Sequence, residues 1–175
     1  ARACYVRGAD VTLVHDGPDV PYATVERVES AAEMTDAVRR IAGSADALVS
    51  AAAISDYTVE QAPEKIKSGQ EGLTLRLEPT PKLIDTVRSD HPDLPIVGFK
   101  VETEGDDETL IERAREIRER AELAFVVAND ASVMGADETR ALLVGADSAT
   151  EYAGDKQGLG ARVADKLGDH LSSRD

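Results

Sequence analysis

Short apolar runs alternate with amphipathic stretches of helical period along the whole 175-residue sequence. Val11-Thr12-Leu13-Val14 reads as a buried strand closed by the turn residues His15-Asp16-Gly17-Pro18, and residues 24–28 read as a second short strand. Ser30 caps a helix, with Glu33 placed to close a capping box and Met34, Ala37, Val38 and Ile41 forming its apolar stripe as far as Gly43. Residues 47–53 follow as a strand of very small side chains, and residues 55–72, without a clean period, read as a long loop. Leu73, Leu75 and Leu77 alternate with Thr74, Arg76 and Glu78, the pattern of a half-buried strand. Thr80 and Pro81 then supply an N-cap and a first-turn proline for a helix to about Val87. Strands are expected at 96–99, 123–128 and 141–144. Helices are expected from about Asp107 to Arg120, at the C-terminus under Leu159, Val163, Leu167 and Leu171, and over residues 1–8. Such alternation predicts an α/β domain spanning residues 1–175, a mostly parallel sheet with helices on both faces. Ligands of such sheets sit at the carboxyl ends of the strands, which directs attention to the loops after Ala53, Phe99 and Ala128.

Charge excludes several function classes. Acidic residues number 34 against 20 basic ones, for a net charge of −14, so a nucleic acid held through its phosphates is not expected. Aromatic residues make up 3% and tryptophan is absent, which argues against a base-stacking platform. Lysine occurs at only six positions, 65, 67, 82, 100, 156 and 166, and arginine supplies the rest. That composition fits either a halophilic surface, where salt screens carboxylate repulsion, or a merely acidic one. One cysteine, Cys4, excludes an internal disulfide and a multi-cysteine zinc site. His15, His91 and His170 are scattered, so no protein-built transition-metal centre is expected. No apolar run approaches the roughly 20 residues that cross a bilayer, and no leader is visible, so a cytoplasmic protein with no membrane partner is expected.

Five stretches carry chemistry. Ser50-Ala51-Ala52-Ala53-Ile54-Ser55-Asp56-Tyr57 would let a planar ligand approach the backbone, with Asp56 ready to accept from an amino group or a ribose hydroxyl. Lys65, in Pro63-Glu64-Lys65-Ile66-Lys67-Ser68, could neutralise phosphate, although spacing alone favours a solvated loop carrying Lys65 and Lys67. Glu78-Pro79-Thr80-Pro81-Lys82-Leu83 is a helix start whose free N–H groups suit an anion, or an ordinary capped helix. Gly98-Phe99-Lys100-Val101-Glu102-Thr103 offers a rare aromatic to a base or to the core. Ala128-Asn129-Asp130 ends a buried strand with two polar residues, or simply turns.

In this order the motifs resemble phosphopantothenate–cysteine ligase, the second half of the bifunctional coenzyme A biosynthesis flavoprotein of bacteria and archaea. The resemblance runs from about Ala3 to the C-terminal helix, where Asp155-Lys156-Gln157 stands in place of a tail lysine motif. It implies a Rossmann-like fold and the joining of 4′-phosphopantothenate to cysteine. CTP first activates the carboxylate as an acyl-cytidylate with loss of pyrophosphate, and the cysteine amine then displaces CMP. The resemblance further implies Mg²⁺ beside the triphosphate, a homodimer, and FMN only on a separate decarboxylase half. By position, Ser50, Ala51, Ala52 and Asp56 match cytidine-nucleotide contacts and Lys65 the phosphate lysine. Thr80, Pro81, Lys82 and Leu83 match a second nucleotide loop, and Phe99 the base-side aromatic. Lys67, Asn129 and Asp130 stand as support for the site.

Two departures accompany the resemblance. Glu116 and Arg120 fall near a usual pair of lysines, so Arg120 keeps one positive charge there and Glu116 does not. The glycine-rich start that the family places ahead of the first helix is absent from residues 1–8, so this chain alone is expected to be incomplete as a ligase. The sequence also leaves open a nicotinamide-dependent oxidoreductase, which lacks its glycine-rich turn here, and a nucleotide-binding or assembly module without chemistry.

Overall fold

Alternate residues of the central strands face two separate cores, and that division builds the fold. The computed structural model describes residues 1–59, 72, 74–102, 106–130 and 138–174. Its elements run α1 (Arg2–Val6), β1 (Thr12–His15), β2 (Thr24–Arg27), α2 (Ala31–Ala42), β3 (Leu48–Ser50), β4 (Tyr57–Val59) and β5 (Leu77–Pro79). They continue with α3 (Leu83–Asp90), β6 (Ile96–Glu102), α4 (Asp107–Arg120), β7 (Phe125–Asp130), β8 (Glu138–Val144), β9 (Ala149–Asp155) and α5 (Lys156–Ser172). The main sheet has the order β3-β6-β7-β8-β9. Its first three strands are parallel, and β8 runs antiparallel to both neighbours, so β8 alone points the other way. β1 and β2 form a parallel pair, and β4 and β5 an antiparallel arm.

Ile96, Val126, Ala128, Leu142 and Val144 pack against Val38 of α2, Leu83 and Val87 of α3, and Leu110 and Ala114 of α4. Their neighbours Val97, Phe125, Val127, Ala141 and Leu143 pack against Leu159, Val163 and Leu167 of α5. Each side chain so buried contributes about 1.5–3 kcal/mol of transfer free energy. Helices therefore cover both faces, as the alternating pattern predicts. The mixed, mostly parallel sheet is that of a Rossmann-like domain.

Local chemistry sets several boundaries. Ser30 accepts from the Glu33 N–H at 3.2 Å and caps α2, while the Glu33 carboxylate accepts from the N–H of Glu29 at 2.8 Å. The capping box thus closes one residue ahead of its expected partner. The Asp106 carboxylate caps α4 by accepting from the N–H and hydroxyl of Thr109, which holds Asp106 below the usual carboxylate range. The Arg140 guanidinium, on β8, meets Asp107 in two bonds of 2.9 and 2.6 Å and Glu151 in one of 2.6 Å, fastening the start of α4 to the β8–β9 hairpin.

The structure corrects four expectations. The strand expected over 47–53 pairs with β6 only from Leu48 to Ser50, and Ala51, Ala52 and Ala53 are exposed beyond it. The long loop contains strand β4, whose partner is β5 rather than the core. Leu75 and Leu77 are consequently exposed, because alternation reports a face suited to burial and not what covers it. Finally α3 starts at Leu83 with Lys82 as its N-cap and no side-chain capping bond. Thr80 does not cap it, because it lies two residues before that N-cap and its Oγ1 has no hydrogen-bond partner among the described residues. One strand, β9, carries no strong sequence signal. Of its residues only Tyr152 is large and apolar, and Tyr152 packs toward the α5 core.

Candidate functional site

The carboxyl ends of β3, β6 and β7 lie side by side, with Ser50 opposite Gly98, Lys100 opposite Ala128 and Val101 opposite Asn129. Gly98 is fixed by packing: a Cβ there would lie 2.8 Å from Leu123 Cδ1 and 3.8 Å from Ile84 Cδ1. Its bare backbone lets the first turn of α3 close on β6, which holds the Pro81-Lys82 segment beside the strand ends. Phe99 points to the opposite side, half-buried against the α5 core.

Two of the sequence-derived stretches meet directly. The Thr80 N–H donates to the Asp56 carbonyl at 2.9 Å, and Lys82 Nζ stands 3.7 Å from Asp56 Oδ1. Both charged side chains are largely exposed, so this pair is easily exchanged for a ligand group. Pro81 is exposed as well, whereas Leu83 is a core residue and offers a ligand only its main chain.

Unsatisfied polar atoms mark the same end. Thr80 Oγ1 and Asn129 Oδ1 are both buried without a hydrogen-bond partner among the described residues. A buried polar group without a partner costs about 1–3 kcal/mol, so its persistence calls for an acceptor or donor from outside the chain. Asp130 closes β7 opposite Glu102. A third orphan, missed by the sequence reading, is His15 at the carboxyl end of β1. Its Nδ1 accepts from the Gly17 N–H at 3.2 Å, which leaves the proton on a buried Nε2 that has no partner among the described residues. The His15-Asp16-Gly17-Pro18 run signalled only a turn.

Other candidates fall elsewhere. Lys65 and Lys67 lie outside the described residues. Arg120 ends α4, near the amino end of β7, and its guanidinium is engaged by Asp85 at 3.0 and 3.1 Å. Glu116 sits on an exposed face of α4 with Glu112 and Glu119. Among the described residues no group of three or more His, Cys, Asp or Glu side chains could hold a metal, and the Asp56 carboxylate already faces Lys82. The residues described thus form no cage for a divalent ion.

Residues 1–171 match the family described as the DNA/pantothenate metabolism flavoprotein C-terminal domain. The chain belongs to that family. A coenzyme A biosynthesis bifunctional protein CoaBC from Thermococcus kodakarensis is 44% identical over 154 residues, covering 85% of this chain and 38% of the relative. The chain therefore spans less than half the length of this curated relative. Among solved structures, the C-terminal domain of a CoaBC protein matches with a TM-score of 0.78 at 22% identity, over 100% of this chain and 81% of that one. A Cab2 mutant in complex with phosphopantothenate-cysteine matches with a TM-score of 0.67 at 19% identity, over 87% of this chain and 55% of that one. These structural likenesses establish the shared fold.

Proposed function

We propose that the chain is the ligase domain of a coenzyme A biosynthesis protein, joining 4′-phosphopantothenate to cysteine at the carboxyl ends of β3, β6 and β7. The observation that carries this reading is the junction of Asp56 with Thr80 and Lys82, which brings two separate motif stretches into one place. The relative from Thermococcus kodakarensis, described as a coenzyme A biosynthesis protein, supports the pathway, and the Cab2 complex supports the product class.

In this reading residues 1–175 act as one nucleotide-binding domain that takes CTP, with Ser50, Ala51, Ala52 and Asp56 around the cytidine, while Phe99, packed toward the α5 core, supports β6 from behind. Lys65 and Lys82 face its phosphates, and Thr80 and Pro81 shape the loop between them. Activation brings a carboxylate to a triphosphate, so like charges must be offset by fixed cations. A pyrophosphate leaves as the acyl-cytidylate forms, and the cysteine amine then expels CMP. Asn129 and Asp130, with Lys67, support the substrate end. Mg²⁺ is carried in on the triphosphate, since such ions keep few protein ligands. FMN belongs to a separate decarboxylase half. The reaction runs in the cytoplasm; among the described residues no helix is long and apolar enough to cross a membrane.

The arm of β4 and β5 supplies the partner surface. Tyr57 and Leu77 are each 59% exposed on it, and Val59 and Leu75 extend the same apolar surface, so a second copy of the chain is the occupant proposed. The deciding experiment titrates the chain with CTP, ATP or NAD beside Mg²⁺. Preference for CTP supports the ligase domain, whether or not this chain turns over without the glycine-rich start. Binding of NAD replaces it with the oxidoreductase, and no nucleotide response counts against the ligase and favours an assembly module.

A further inference from the structure

A cleft of about 750 Å³ opens at the opposite end of the sheet, where β6 and β7 begin, β8 ends and β9 starts. We propose that it is a second ligand site, which takes a phosphate-bearing small molecule through Arg118 and Lys166.

The charges around it are sorted by depth. Arg88, Arg118, Lys166 and His170 are half-buried, whereas the acids that line it, Asp93, Glu122, Asp147 and Asp169, are all exposed, with Arg174 as the one exposed cation of the lining. Exposed carboxylates are screened by water and salt; cations in a partly dry floor are not. The floor therefore presents a positive face inside an acidic rim.

Arg88 is accounted for by the fold. Its guanidinium donates to the carbonyls of Ala121, His91, Pro92 and Glu122 at 2.6–3.3 Å, which offsets the negative carbonyl ends of α3 and α4. Arg118 and Lys166 are not accounted for in this way. Among the described residues Arg118 makes one long bond, Nη1 to the Leu123 carbonyl at 3.4 Å, and its Nε is buried without a partner. Lys166 rests its ammonium 5.5 Å from the centre of the Phe125 ring and forms no ion pair among the described residues. Acids outnumber bases 34 to 20, so the missing counter-charge does not reflect a shortage of carboxylates. A guanidinium with an unsatisfied N–H and an ammonium lining one cleft call for an anion, and a phosphate ester offers acceptors for such cations. The volume falls within the roughly 300–1,000 Å³ of small-molecule pockets, so the phosphate has room for an attached group. The site is independent of the ligase reading, because none of its residues belongs to the carboxyl-end site.

The two phenylalanines of the chain report on the two ends of the sheet: Phe125 lines this cleft and Phe99 lies in the outward half of β6. The experiment records their ring resonances by NMR while glycerol 3-phosphate or inorganic phosphate is added at constant ionic strength. The expected result is a saturable shift of Phe125 with Phe99 unmoved, weakened about tenfold or more in Lys166→Met and in Arg118→Met and unchanged in Lys82→Met. Saturation by the ester but not by inorganic phosphate supports the site and assigns it to phosphorylated metabolites. Saturation by inorganic phosphate as well supports it and assigns the binding energy to the anion. Arg118→Lys, which keeps the charge and loses the Nε donor, serves if the methionine variant fails to fold, and weakened binding is again expected. No saturable Phe125 shift up to about 10 mM, a shift of Phe99 alone, or equal binding by the Lys166 variant overturns the proposal.

Discussion

The ammonium of Lys82 stands 3.7 Å from the carboxylate of Asp56, and two residues earlier the Thr80 N–H donates to the Asp56 carbonyl. The connection between β3 and β4 and the segment that leads into α3 are thereby linked through both main chain and side chain. Asp56 sits on an exposed connection, so its orientation depends on this link rather than on burial.

A nucleotide at this junction competes with Asp56 for Lys82. Lys82→Met should weaken CTP binding about tenfold, the worth of one charge-assisted hydrogen bond, with little change in melting temperature because the pair is exposed. Calorimetric titration at low salt measures it, and an unchanged Kd would remove Lys82 from the nucleotide loop.

Gly98 has room for a side chain only if Leu123 shifts. Gly98→Ala would press a methyl against Leu123 Cδ1, destabilising the domain by roughly 1–3 kcal/mol. Urea denaturation should show the loss as a lower midpoint at unchanged slope, and a midpoint equal to that of the native chain would contradict the packing argument.

Acid should unfold the domain through specific carboxylates. Hydrogen bonds from Arg39, Thr109, Arg140 and Arg7 hold Asp90, Asp106, Asp107 and Asp165 below the usual carboxylate range. A depressed folded-state pKa gives stability that is present above the ordinary range and is lost as pH falls through the lowered value. Unfolding free energy should therefore decline below about pH 4, and less steeply in Asp107→Asn, which has no such proton to gain. Equal slopes in the two proteins would deny Asp107 its part.

Association should depend on the β4–β5 arm. Replacing Tyr57 and Leu77 together by serine removes its largest exposed apolar side chains, while the main core, to which neither contributes, stays intact. Sedimentation at micromolar protein is expected to show a dimer for the native chain and a monomer for the variant. A native monomer, or a dimeric variant, would move the interface elsewhere.

Much of the scaffold was legible because its signals are local. Leu110, Ala114 and Ile117 repeat on one helical face behind the cap at Asp106, and α4 spans Asp107–Arg120 as that pattern implies. The apolar runs of β6 and β7 are buried on both faces, so their existence needed no knowledge of partners. The reversal of β8 was not legible, since direction follows from the connection between strands rather than from the residues within one. Nor was the arm, whose leucines carry the alternation of a core-facing strand and face solvent in the single chain. At the candidate site, motif order named Asp56, Thr80, Lys82 and Asn129 as candidates, and the fold brings Asp56 to Thr80 and Lys82. The main-chain bond between Thr80 and Asp56 and the orphaned nitrogen of His15 are tertiary facts that no spacing encodes.

The division of the sheet into a parallel and an antiparallel half also sets how it opens. In β7, β8 and β9 chain order equals spatial order, so their ladders close with modest loop entropy, and β8 and β9 pair over seven residues. β3 is joined to β6 across a long stretch of chain through only three register pairs. Amide exchange should consequently be slowest in the meander and fastest at Val49 and Ser50, so that the strand leading into the Asp56 loop can fray while the core stays folded. Of the meander only the end of β7 reaches the candidate chemistry, so a ligand held at the Asp56 loop would lock the edge that frays.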